Sequence, residues 1–185
     1  MPTRRPRILF VLKHRLQSGG DRTLLKHSGL FNSASFVQSM LCQQGYDAQI
    51  VQVIDNNAID REVSRRRPHL VIIEALWVVP EKFDVLRRLH PKVKWVVRLH
   101  SELPFLANEG VAFEWINQYI RMPNVYVSAN SLTAQRDLEQ YLAATPIKRS
   151  LLNKLIYLPN WYPVKSTTRA SKAVLQVGNL RQREW

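Results

Sequence analysis

Short apolar runs rich in branched and aromatic residues recur along this chain. Each of the first five is followed by a stretch with helical spacing. The runs are ILFVL at 8–12, DAQIVQVI at 47–54, LVII at 70–73, KVKWVVRL at 92–99, VYV at 125–127 and LIYL at 155–158. Most are continuous rather than alternating, and such a run fits a strand buried on both faces. Strands that alternate with helices of this length build βαβ units, so the pattern predicts an α/β chain. We expect a Rossmann-like parallel sheet of about six strands with helices on both faces, each crossover right-handed. At 185 residues and 45% apolar, the chain has enough material for one sizeable core.

The intervening segments carry their own start and stop signals. Over Ser28–Gln44, the residues Leu30, Phe31, Ala34, Val37, Met40 and Leu41 fall on one helical face, and Gly45 suits a left-handed C-cap. Asn56–Arg67 reads as a short helix ending before Pro68. Pro80–His90 reads as a helix with proline in its first turn and Phe83, Leu86 and Leu89 facing inward. Asn108–Arg121 carries Val111, Trp115, Ile116 and Tyr119, and Ser131–Ala143 opens on Ser131 or Thr133 as N-cap. Lys13–His27, with its Ser18-Gly19-Gly20-Asp21 turn signal, is long for a strand-to-helix loop. Val164–Ser171 lacks apolar periodicity and reads as a linker. Val174–Val177 reads as the opening strand of a further unit. The domain reading is therefore 1–163 as one Rossmann-like domain and 164–185 as linker plus the first strand of an incomplete second domain.

The stretch Val93–Phe105 turns abruptly from a buried strand to a burst of polar groups: Arg98, His100, Ser101 and Glu102 before Pro104. In open α/β sheets, ligands bind in the crevice outside the carboxyl ends of the strands. His100 and Glu102 are the candidate catalytic pair, since imidazole beside carboxylate can take a proton near neutral pH. Each has a plain alternative, as a satisfied histidine and as a loop charge. Arg98 and Ser101 join them as candidate ligand-binding groups at that edge. Glu74 and Trp77, closing the third strand, suit hydroxyl recognition and sugar stacking, although a tryptophan there equally well caps the core. Gly29 is a candidate for close backbone approach at a helix N-terminus.

Other classes are disfavoured. The lone cysteine, Cys42, excludes an intrachain disulfide or a cysteine-based zinc site, and it reads as a small packed hydrophobe. The five histidines show no ligand spacing, so no metal is expected. No apolar run is long enough to span a bilayer, and the stretch before Lys13 is too short for a signal-peptide core, which makes the cytoplasm the default compartment. Lys and Arg number 27 against 14 Asp and Glu, a formal charge of +13. That excess favours anionic partners, nucleic acid among them. Its clusters Arg65-Arg66-Arg67 and Arg87-Arg88 sit at predicted helix C-termini, where positive charge suits the helix dipole and which lie opposite the crevice.

Several motifs, in order, resemble the N-terminal domain of GT-B glycosyltransferases of the family-four kind. The first strand leads into Ser28-Gly29-Leu30 and a helix ending in Gly45-Tyr46-Asp47. Arg98-Leu99-His100-Ser101-Glu102-Leu103-Pro104 is similar to the family's histidine-to-proline stretch. Val127-Ser128-Ala129-Asn130-Ser131 is similar to its strand end before a helix. Ile156-Tyr157-Leu158-Pro159-Asn160 is similar to the segment before its interdomain crossover. Val174–Arg181 is similar to the opening of its second domain, while Trp161 stands where the family usually has glycine.

The resemblance implies the acceptor-binding half of a nucleotide-sugar-dependent sugar transferase, inactive alone. It implies no bound cofactor, because the nucleotide-sugar donor is a substrate held mostly by the missing domain. The implied partners are a sugar or glycan acceptor and a second polypeptide supplying the donor half. The alternative expectation is a non-enzymatic basic binding module, derived from a truncated transferase, for nucleic acid or an acidic protein.

Overall fold

The computed structural model describes residues 5–14 and 29–163. Within them six strands form one sheet: β1 (Arg7–Lys13), β2 (Asp47–Val53), β3 (Leu70–Glu74), β4 (Lys94–Arg98), β5 (Val125–Ala129) and β6 (Leu155–Tyr157). Their order is β2-β1-β3-β4-β5-β6, and every neighbouring pair is parallel. The helices are α1 (Gly29–Gln43), α2 (Ala58–Arg66), α3 (Pro80–Leu89), α4 (Leu103–Ala107), α5 (Ala112–Arg121) and α6 (Leu132–Ala143). The Rossmann-like α/β architecture expected from the apolar runs is present. Lys13, read as the first loop residue, ends β1; residues 15–27 of the expected loop and the second-domain strand fall outside the described residues.

The strand order determines how the two faces are covered. From β1 to β2 the chain steps one way across the sheet; after β2 every step goes the other way. Right-handed crossovers therefore place α1 on one face and the later helices on the other. The packing agrees. Leu9, Val11, Val71, Ile73, Trp95, Val97, Val125 and Val127 point into a large core with α2, α3, α5 and α6. Phe83 meets the rings of Trp95 and Tyr119 edge-on there, with centroids 5.9 and 5.2 Å apart. Ile8, Phe10, Ile72 and Val96 point the other way, into a smaller cluster that includes Ala34 of α1.

Local signals explain most element ends. Gly45 closes α1 with φ +80°, and its N–H donates to Cys42 O while the Tyr46 N–H donates to Leu41 O. Pro80 occupies the first turn of α3. The hydroxyl of Ser131 caps α6 by accepting the Ala134 N–H at 3.0 Å. Two further expectations are corrected, and one unanticipated element is added. The helix read as Asn108–Arg121 begins only at Ala112, and a separate five-residue helix, α4, precedes it. A 3-10 turn at Arg149–Lys154 precedes β6. Cys42 is exposed rather than packed, its thiol lying 3.4 Å from Ala48 O.

Candidate functional site

One register row of the sheet carries the site. Glu74, Arg98 and Ser128 are paired neighbours across β3, β4 and β5, on the face that α1 covers only in part. Below them the same face is apolar: Ile72, Val96 and Tyr126 stand two residues earlier on the same strands. The sheet thus passes from an apolar floor to a polar rim at its carboxyl edge, where a switch in strand order opens a crevice in doubly wound folds.

Glu74 is the hub. Its carboxylate is fully buried and accepts Arg98 Nη1 at 3.2 Å and His100 Nε2 at 2.5 Å. A carboxylate only accepts, so the imidazole donates through Nε2, and in the neutral form Nδ1 is then the lone-pair nitrogen. Arg98, 2% exposed, also donates through Nη2 to Asn160 Oδ1 at 3.0 Å, and that oxygen accepts the Ser33 hydroxyl at 3.2 Å. Five segments meet in this network: α1, the ends of β3 and β4, the loop after β4, and the stretch after β6. A buried charge is tolerated only when it is paired and hydrogen-bonded, and each charge here is.

The backbone is bent to make room for it. Ala75, directly after Glu74, takes φ +70°, and its N–H donates to Arg98 O at 2.9 Å. A residue with a Cβ in this left-handed region costs about 1–2 kcal/mol. Such local strain is found where surrounding structure holds a functional group in place. Asn130 anchors the other side, donating Nδ2 to His100 O at 3.0 Å, while its own Oδ1 is buried with no partner among the described residues.

The structure brings together Glu74, Arg98 and His100 among the sequence candidates. Glu102 is exposed, and its bond goes to the Ser131 hydroxyl, at 2.8 Å, at the start of α6. Trp77 donates Nε1 to Glu74 O at 3.0 Å and packs against the large core, so it braces the end of β3 from the opposite face. Ser101 lies beside His100, half-buried. Gly29 is exposed at the start of α1, and a Cβ added there would meet no described atom within 4 Å. Asn160 and Ser33 went unrecognised as site residues. Asn160 reads locally as a turn residue, and its partners lie 62 and 127 positions away.

The basic clusters lie at the far end of the layer and are largely engaged. Arg65 and Arg66 both reach Glu62, and Arg87 reaches Asp84. Burial pushes the Glu62 carboxyl up, but the hydrogen bonds and charges of Arg66 and Arg65 outweigh it and hold the group below its usual range. Among the described residues no cluster of His, Cys, Asp and Glu could hold a metal ion, and no helix is long and apolar enough to cross a membrane. No protein-family model, curated protein or solved structure matches this chain.

Proposed function

We propose that this chain binds a polyhydroxyl acceptor at the carboxyl edge of its sheet, as the acceptor-side half of a nucleotide-sugar-dependent glycosyltransferase. The observation that supports this most is the buried Glu74–His100 pair with Arg98 locked beside it. Glu74 fixes the tautomer and angle of the imidazole, and no described residue bonds its Nδ1. That nitrogen is free to accept a hydrogen bond, and then the proton, from an acceptor hydroxyl. In the transfer step the acceptor oxygen bonds to the anomeric carbon. The carbon–oxygen bond to the donor's phosphate breaks with its electron pair, and His100 retains the proton. Arg98 acts as a positioning residue because it holds Glu74 rather than the acceptor, and Asn160, held by Ser33, positions Arg98 in turn. The donor side belongs to a further domain or a second polypeptide, which the motif likeness over Val174–Arg181 motivates.

Two assays test this. On a glycan array the full chain is expected to retain a defined set of sugars, and His100→Ala to lose them while keeping its circular dichroism spectrum. Uniform failure to bind any glycan, or binding indifferent to His100→Ala, overturns the acceptor site. Sugar transfer by the purified chain alone would instead refute the half-site reading and leave the acceptor site standing.

A further inference from the structure

The uneven covering of the sheet leaves an apolar groove on the α1 face. It runs across β1, β3, β4, β5 and β6 beside α1 and encloses about 570 Å³. Its floor is Phe10, Ile72, Val96, Tyr126 and Ile156, and α1 supplies a wall through Val37, Met40 and Leu41. This follows from topology: only the β1-to-β2 crossover places a helix on this face, so α1 is the one described helix there, and the stretch after β6 lines the rest of the groove through Leu158, Pro159 and Trp161. A parallel sheet is stable when both faces are covered. The composition of α1 points the same way, since none of its fifteen residues is charged. A helix with a solvated flank ordinarily carries charge on it.

We infer that this groove is the docking site of an amphipathic α-helix, with acidic residues flanking its apolar stripe, from a second polypeptide. The shape is that of a helix berth. The five residues of β4 span about 17 Å, which a helix of about 11 residues matches. Charge selects the occupant. The charged residues lining the groove are Lys94 and Arg98. Glu74 already pairs with Arg98, whereas Lys94 is exposed on β4 and bonds no carboxylate among the described residues. The chain's own residues 164–185 carry Lys165, Arg169, Lys172, Arg181 and Arg183 against Glu184 alone, the wrong sign for that rim. A second copy brings another +13. An acidic helix supplies both the missing apolar layer and the opposite charge, which steers encounter and rejects partners of like sign.

The probe is a fluorescein-labelled eighteen-residue helical peptide with leucine at i, i+3, i+4 and i+7 spacing and glutamate on both flanks. It is titrated into the full chain by anisotropy, beside two controls: the same stripe flanked by lysine, and a glutamate peptide with its leucines scrambled. The expected result is saturable binding of the first peptide only, weakened about fivefold or more by Lys94→Glu. Met40→Asp, a change on the half-exposed α1 wall, is expected to abolish it. Hydrogen exchange with the peptide bound is expected to slow at 70–72, 94–98 and 126. No binding of the glutamate peptide at roughly 100 µM, equal binding of either control, or indifference to both substitutions overturns the proposal. Either substituted chain counts only if its thermal midpoint matches the parent's, and the exchange footprint decides the matter if neither does.

Discussion

The two faces of this sheet are built from the same strands and do different work. On one face Val97, Val125 and Val127 meet four helices in a closed core whose largest members, Trp95, Tyr119 and Phe83, are fully buried. On the other, Ile72, Val96 and Tyr126 meet only part of one helix, and the row above them is Glu74, Arg98 and Ser128. The closed face holds stability. The open face holds the polar network and the apolar groove, so both lie where packing is incomplete. Even the hydrogen bonds divide this way. Tyr119 OH donates to Val78 O inside the closed core, and burial, with the nearby Glu81 charge, pushes that phenol well above its usual range. The bonds of Glu74 end on groups that line a crevice.

Truncating one side chain on each face gives the largest contrast. Phe83→Ala, which empties a site packed against Trp95 and Tyr119, is expected to cost about 3–5 kcal/mol of unfolding free energy in urea. Ile156→Ala, at the half-exposed edge of the groove, is expected to cost only ~1 kcal/mol. Equal losses would mean that the open face is packed as fully as the closed one.

A smaller effect tests the foot of the sheet between the faces. Lys154 donates to Ile120 O and Met122 O, and its ammonium stands 6.0 Å from the centre of the Tyr126 ring. Burial, with the Arg87 charge nearby, pushes its pKa down to about 8. Above that pH the folded chain sheds this proton while the unfolded chain keeps it up to about 10.5. The unfolded state then binds more protons, so stability rises with pH between those values. Measured against Lys154→Met, the parent chain is expected to gain relative stability from pH 8 to pH 10. A flat or falling difference would mean that Lys154 is solvated like an ordinary surface lysine.

Much of this was legible in the chain itself. Apolar runs mark all six strands, most of them continuous because inner parallel strands are buried on both sides, while edge strand β2 alternates. Gly45, Pro80 and Ser131 mark helix ends because each meets a local backbone need. The elements that escaped are those without an apolar stripe of their own. The 3-10 turn at Arg149–Lys154 has no fully buried residue, and α4 is shorter than two full turns. The site was half legible. The polar burst after Val97 drew attention to His100 and Arg98, but nearness in sequence favoured Glu102 as the carboxylate. The sheet instead brings Glu74 to His100 from the neighbouring strand, and Asn160 from 62 residues beyond Arg98. Pairing across parallel strands has no local signature, so only the register reveals it.

The Glu74–His100 pair is the claim on which the functional reading rests, and the imidazole nitrogens report on it directly. A long-range ¹H–¹⁵N spectrum of the full chain is expected to show His100 as the Nε2-protonated tautomer. Its Nε2 proton should lie far downfield and lose that shift in Glu74→Ala. An Nδ1-protonated tautomer, or a spectrum of His100 unchanged by Glu74→Ala, would contradict the account.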